Sequence, residues 1–276
     1  MLVKKIAVLG SVALLAFGFS MIAGRTALAE TSVTCPPGSN LQNAINAAPS
    51  GATLNITGTC TGNFTISKSL TLIGGTLDGN NSGNVLHIDS GVTVVLKDVT
   101  VQHANATSFP GGIYNIGTLT VVSSTVSDNT AGSGGGIYND VGGTLTVVSS
   151  TLSHNTANPG AGGGIENNGG TVTVKSSIVS DNTSYDLGGG IFNQLGTLSL
   201  ASSGVSGNTA TFDGGGIYNL RGTLSLASSG VSGNTTTFDG GGIYNDHGTV
   251  TNRGSSLSGN TPNNCAPPGS VPGCTG

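Results

Sequence analysis

The chain is expected to be all-β: a right-handed parallel β-helix, a solenoid of about eight coils with a short N-terminal capping helix. Three observations lead there. Gly-Gly-Ile recurs with its isoleucine at Ile113, Ile137, Ile165, Ile191, Ile217 and Ile243, at spacings of 24, 28, 26, 26 and 26 residues, and a period in this range marks a repeat architecture. Aligning the units reveals two unbroken aliphatic columns seven residues apart. One runs Leu70, Val94, Leu119, Leu145, Val172, Leu198, Leu224, Val250, the other Leu77, Val101, Val126, Leu152, Val179, Val205, Val231, Leu257. Finally, the chain contains 48 glycines and its units are rich in Ser, Thr and Val, a composition that suits strands and corners rather than helices.

Each unit reads as three short strands: G-I-Y-N, T-L-T-V-V and the strand around Val126. Within T-L-T-V the apolar residues alternate with threonine, so one face is buried and the other solvated. Short strands repeated this way stack as coils, each pairing in parallel with the next at ~4.8 Å, giving a rod of roughly 38 Å. Right-handed winding follows from the crossover preference of parallel strands. The position two after the first column is apolar until it becomes Asn252, as befits a terminal unit.

These units resemble the right-handed parallel β-helix of the pectin-lyase-like superfamily. GGGIYN and SGNTA are also similar to the GGxI repeats of polymorphic outer-membrane proteins, the likeness covering about residues 50–261. The F-x-x-N mark of those repeats is absent and no membrane barrel follows, so autotransport by a translocator of its own is not expected.

In chain order, residues 1–29 read as a signal peptide. Lys4 and Lys5 precede an apolar run from Ile6 to Ala23, and Ala27-Leu28-Ala29 is an A-x-A cleavage site. The mature chain would carry five Lys/Arg against twelve Asp/Glu, a formal −7. That argues against nucleic acid as a partner. No transmembrane helix is expected in the mature chain.

Residues 30–52 are expected to form an N-terminal cap. Within it 39–48 is a short helix, with Ser39 and Gln42 as a capping box and Leu41, Ala44, Ile45 and Ala48 as its apolar stripe. The β-helix is expected over 53–261 and a disulfide-closed tail over 262–276. Four cysteines, Cys35, Cys60, Cys265 and Cys274, lie outside the regular repeats. In an exported chain they read as disulfides. Of three pairings, Cys35–Cys60 with Cys265–Cys274 is favoured because it closes both ends of the rod.

Several outward columns are candidate functional surfaces. Asn80, Asn129, Asn155, Asn182, Asn208, Asn234 and Asn260 share one column and read as a structural ladder at a corner, with αL backbone. The column before it places His103, Asp128, His154 and Asp181 on four successive coils. This is a weak candidate for acid–base catalysis or metal binding, and equally a set of residues suited to a positive-φ corner. The metal is undefined, and no cofactor is expected. Threonines flanking the first aliphatic column form a flat T-x-T array like that of β-solenoid ice-binding proteins. After each Ile of GGGIYN come Tyr114, Tyr138, Glu166, Phe192, Tyr218 and Tyr244. The five aromatics are the candidate ligand-binding residues, expected to face outward, with Phe212-Asp213 and Phe238-Asp239 as stacked pairs beside them.

Functionally these features point to an extracellular or cell-surface protein, with the periplasm as another location, that binds glycans or a surface partner. A carbohydrate-active enzyme using the His/Asp strip is the alternative, and an ice-binding surface the third. Lyases and hydrolases of the resembled superfamily need clustered carboxylates with a nearby Arg or Lys, and none of Lys68, Lys97, Lys175, Arg221 or Arg253 falls in the strip.

Overall fold

The computed structural model describes residues 30–35 and 41–275. Residues 1–29, expected to be a signal peptide, and Ser39 lie outside them. The chain is an all-β parallel solenoid whose coils stack in register. On the first face, strands from Leu70–Ile73 to Thr249–Arg253 pair in parallel. On the second, the series runs from Thr76–Asp78 to Ser256–Ser258. The third face runs from Phe64–Ile66 to Cys265–Ala266 and carries the isoleucine column. Inward residues of all three faces meet in one apolar core. Period-two alternation explains this, because each strand sends every second side chain inward.

The winding begins one coil earlier than the repeats suggest. Strand Ala52–Thr61 spans two faces, with Ala52 paired to Leu70 and Cys60 to Leu77. Ala52 and Cys60 are eight residues apart rather than seven, so the column rule passes over them. Glu30–Cys35, expected within the cap, is itself a strand paired in parallel with residues 53–58. Each of the middle coils also has a fourth short strand after the asparagine corner, from Asn105–Pro110 to Thr235–Thr236, where three strands per coil were expected.

Three polar ladders hold the corners. Asn155 donates its Nδ2 protons to Val126 O and to Asn182 Oδ1, and Asn182 Oδ1 also accepts from the Asn155 backbone N–H. The same pattern repeats through Asn208 and Asn234 to Asn260. Each amide therefore satisfies itself and the corner backbone at once. A second ladder runs through Asn115, Asn139, Asn167, Asn193, Asn219 and Asn245, and a third through the second serine of each Ser-Ser pair. The αL residue, however, is not the asparagine of the first ladder but its predecessor: His103, Asp128, His154 and Asp181 have φ of 56–57°. Only Asn80, outside the bonded ladder, is αL itself, with φ of 50°.

The Gly-Gly-Ile motif follows from this packing. A Cβ on Gly216 would stand 2.6 Å from Gly242 O and 2.9 Å from Asn234 Nδ2, so the backbone can approach the ladder only without a side chain.

Both ends are closed. Helix Leu41–Ala47 buries Leu41 and Ile45 in the core. Gln42 pairs its amide with the edge strand, donating to Thr65 O and accepting from Thr65 N–H. It thus takes the place of a missing rung, and the capping box with Ser39 lies outside the described residues. Cys35 and Cys60 form one disulfide, Cys265 and Cys274 the other. At the far end, Asn264 Oδ1 accepts from Asn260 N–H and Nδ2, so a tail side chain completes the ladder.

Candidate functional site

The His/Asp strip is brought to one corner but not together. Its αL backbone turns the side chains of Asp128, His154 and Asp181 into solvent. His103 pairs with Asp78 instead, Nδ1 to Oδ2 at 2.9 Å, while Gln102 donates to the same oxygen. Partial burial acts to raise the Asp78 pKa, but hydrogen bonds from Gln102, the Asn80 backbone and His103 hold it below its ordinary value. Among the described residues no ion pair joins the strip's own members, and no group of three His, Cys, Asp or Glu converges as metal ligands.

The aromatic column is a more connected site. Its residues point away from the core, as alternation dictates, yet they are covered. Phe192 and Tyr218 are only 5% and 6% exposed, packing with Ala161 and Leu187 from the loops that precede each Gly-Gly-Ile. Tyr114, Tyr138 and Tyr244 are half-buried. The outward platform expected for all five is therefore largely a second, smaller packed layer. The rings form two runs interrupted by Glu166. His87, Tyr114 and Tyr138 contact in sequence at 5.0 and 5.8 Å, and Phe192, Tyr218 and Tyr244 at 5.6 and 5.0 Å.

Acidic partners run alongside. Tyr114 donates its hydroxyl proton to Asp140 at 2.8 Å, and Tyr218 donates to Asp246 at 3.2 Å. Asn168 links the first group, donating to Tyr138 Oη and Asp140 Oδ1. Burial, then Asp140, pushes the Tyr114 phenol up to about 12; burial, then Glu166 and Asp140, does the same for Tyr138. Glu166 is buried among these groups, with Oε2 lacking a hydrogen-bond partner. Burial foremost, with Asp140 and Asp186 adding to it and hydrogen bonds from Ser133 and Gly134 opposing, raises its carboxyl to about 7.

Truly exposed aromatics lie at the margin of this column. Phe212 and Phe238, 45% and 54% exposed, stack at 5.7 Å with planes 13° apart. Asp213 accepts from the Asp239 backbone N–H, and Asp239 accepts from Asn263. Sequence reasoning placed these pairs correctly but did not single out Asp140, Asn168, Asp186 or Asp246. Asp140, Asn168 and Asp246 share a column, each three residues after the isoleucine of Gly-Gly-Ile, but that column also holds Ile116, Gln194 and Leu220, so no residue type recurs throughout it, and Asp186 lies in the loop before Gly-Gly-Ile. Glu166 was visible as the one acid in an aromatic column.

On the first face, the T-x-T array is an in-register ladder from Thr118 to Thr249, with Ser199 and Ser225 in place of threonine on two coils. Among the described residues no helix is long and apolar enough to cross a membrane.

Residues 123–140 match the Chlamydia polymorphic membrane protein repeat. The stretch spans most of one coil and includes ladder residues Asn129 and Asn139 with Gly135, Gly136 and Ile137. The match thus falls on residues that build the solenoid, and the chain is a β-helix repeat protein. No curated protein and no solved structure matches it.

Proposed function

We propose that this is an exported β-helix protein, displayed at the cell surface or released from it, that binds glycans along its aromatic flank. The observation that carries the reading is the Phe212–Phe238 stack, exposed beside a ladder of half-buried and buried rings on the same side of the rod. Exposed aromatics on a rigid scaffold are costly to leave in water and are suited to stacking on sugar rings. The resemblance to the pectin-lyase-like superfamily and the polymorphic membrane protein repeat support surface placement and a polysaccharide ligand. The test is a glycan array probed with the wild type and with the double variant Phe212→Ser/Phe238→Ser. Binding by the wild type and its loss in the variant, with unchanged circular dichroism and melting temperature, is expected. A wild type that binds no glycan overturns the reading.

The threonine ladder favours a second reading, an ordered lattice such as ice as the ligand, since its hydroxyls repeat at the strand spacing of ~4.8 Å, with methyls lacking only at Ser199 and Ser225. Thermal hysteresis in a freezing assay would support it.

A further inference from the structure

Resting on the glycan reading, we infer that the ligand is a linear polysaccharide bearing protonated amines, held across the coils at residues 196–219 and 222–245. These two coils differ at one of 24 positions, Ala210 against Thr236. They therefore present the same groups one rung apart.

Those groups are aromatic and anionic together. Phe212 and Phe238 are exposed and stacked. Tyr244, stacked on Tyr218 at 5.0 Å, has its phenol raised first by burial and then by the fields of Asp213, Asp246 and Asp239. Asp246 accepts from the Tyr218 hydroxyl beside that ring, and Asp213 accepts from the Asp239 backbone N–H one coil on. Aromatic faces beside carboxylates attract cations twice, through the ring quadrupole and through charge.

The lysines and Arg253 lie elsewhere. Lys97, Lys175 and Arg253 share one column at the end of the first-face strands. Lys68 donates to the Asn46 and Ala48 carbonyls at the helix end, while Arg221, beyond Leu220 at the corner where the third face ends, donates its backbone N–H to Asp246 O. Asp246 pairs with His247, and among the described residues Asp213 and Asp239 are paired with no cation. The flank presents net negative charge to a ligand.

The repeat selects the polymer. Identical groups recur at the ~4.8 Å coil spacing, whereas an extended peptide advances ~3.4 Å per residue and drifts out of phase with it. An extended β-linked hexose chain advances about one coil per sugar, so one of its sugars can stack on the exposed Phe face with its amine against the adjacent carboxylates.

The experiment compares fully deacetylated and fully N-acetylated glucosamine oligomers of equal length, with polylysine as a third probe, in mildly acidic buffer by isothermal titration. The deacetylated oligomer is expected to bind about tenfold or more tightly than the acetylated one. The double variant Asp213→Asn/Asp239→Asn should erase that preference while keeping the melting temperature. Equal binding of both oligomers, abolished by Phe212→Ser/Phe238→Ser, overturns the cationic ligand and leaves the glycan reading standing. Polylysine binding as tight as the deacetylated oligomer overturns the choice of a sugar polymer. Binding of none of the probes overturns the inference, and the glycan array then decides the broader reading separately.

Discussion

Two columns of side chains leave the same rod outward, and they behave differently. The His/Asp strip stands at a corner that nothing covers, and its members beyond His103 stay in solvent, unpaired with one another. The aromatic column stands on a face that the Gly-rich loops fold across, and there rings, phenols and carboxylates become packed and electrostatically coupled. Periodicity alone does not distinguish them. What does is the segment between the asparagine corner and Gly-Gly-Ile, which supplies a fourth strand and then a cover.

The largest expected effect breaks the covered column. Tyr218→Ser or Phe192→Ser removes most of a ring that is about 95% buried and should destabilise by about 3–4 kcal/mol in urea unfolding. Losses under about 0.5 kcal/mol would mean the column is as free as the strip. A smaller effect sharpens the electrostatic half of the contrast. Glu166 keeps its proton to about 7 in the fold but ionises near ~4.3 when unfolded. Its contribution is complete below the unfolded value and is lost as pH rises through the folded one, up to roughly 3–4 kcal/mol. Stability measured from acid to neutral pH should therefore decline through this window in the wild type, and Glu166→Gln should flatten the decline. An unchanged slope in the variant would detach Glu166 from the effect.

The smallest effect concerns the strip, set against its neighbour. Asp181→Gly relieves a positive φ and touches no partner, so a change within about 0.5 kcal/mol, leaning toward stabilisation, is expected. Asn182→Ala, one residue along, leaves the Asn155 backbone N–H and side-chain amide without their acceptor and should cost about 2 kcal/mol or more. Equal costs at the two positions would give the strip a role beyond its corner.

The core and the ladders were legible because burial acts on every coil alike, so the same residue type returns in each column. Gly-Gly-Ile, Asn129 through Asn260 and both aliphatic columns are of this kind. The first coil was not, since the one extra residue between Ala52 and Cys60 shifts the count. Nor was the start of the third face, where Phe64 and Leu86 hold the isoleucine position without the glycines. The cover over the aromatics escaped for another reason. Loops of unequal length carry no period, and Ala161 and Leu187 reach Phe192 and Tyr218 only once the chain is wound.

The borrowed rung at Asn264 has a consequence for size. Because the last ladder amide is met by a side chain from the tail rather than by another coil, the terminus serves whatever coil lies before it. The two near-identical units are then interchangeable modules. Joining Arg221 directly to Gly248 removes 26 residues, one full period, and preserves the phase of every column. The rod would simply be one rung, ~4.8 Å, shorter. Length in this molecule is a dial that turns in whole coils, with the stoppers at either end left untouched.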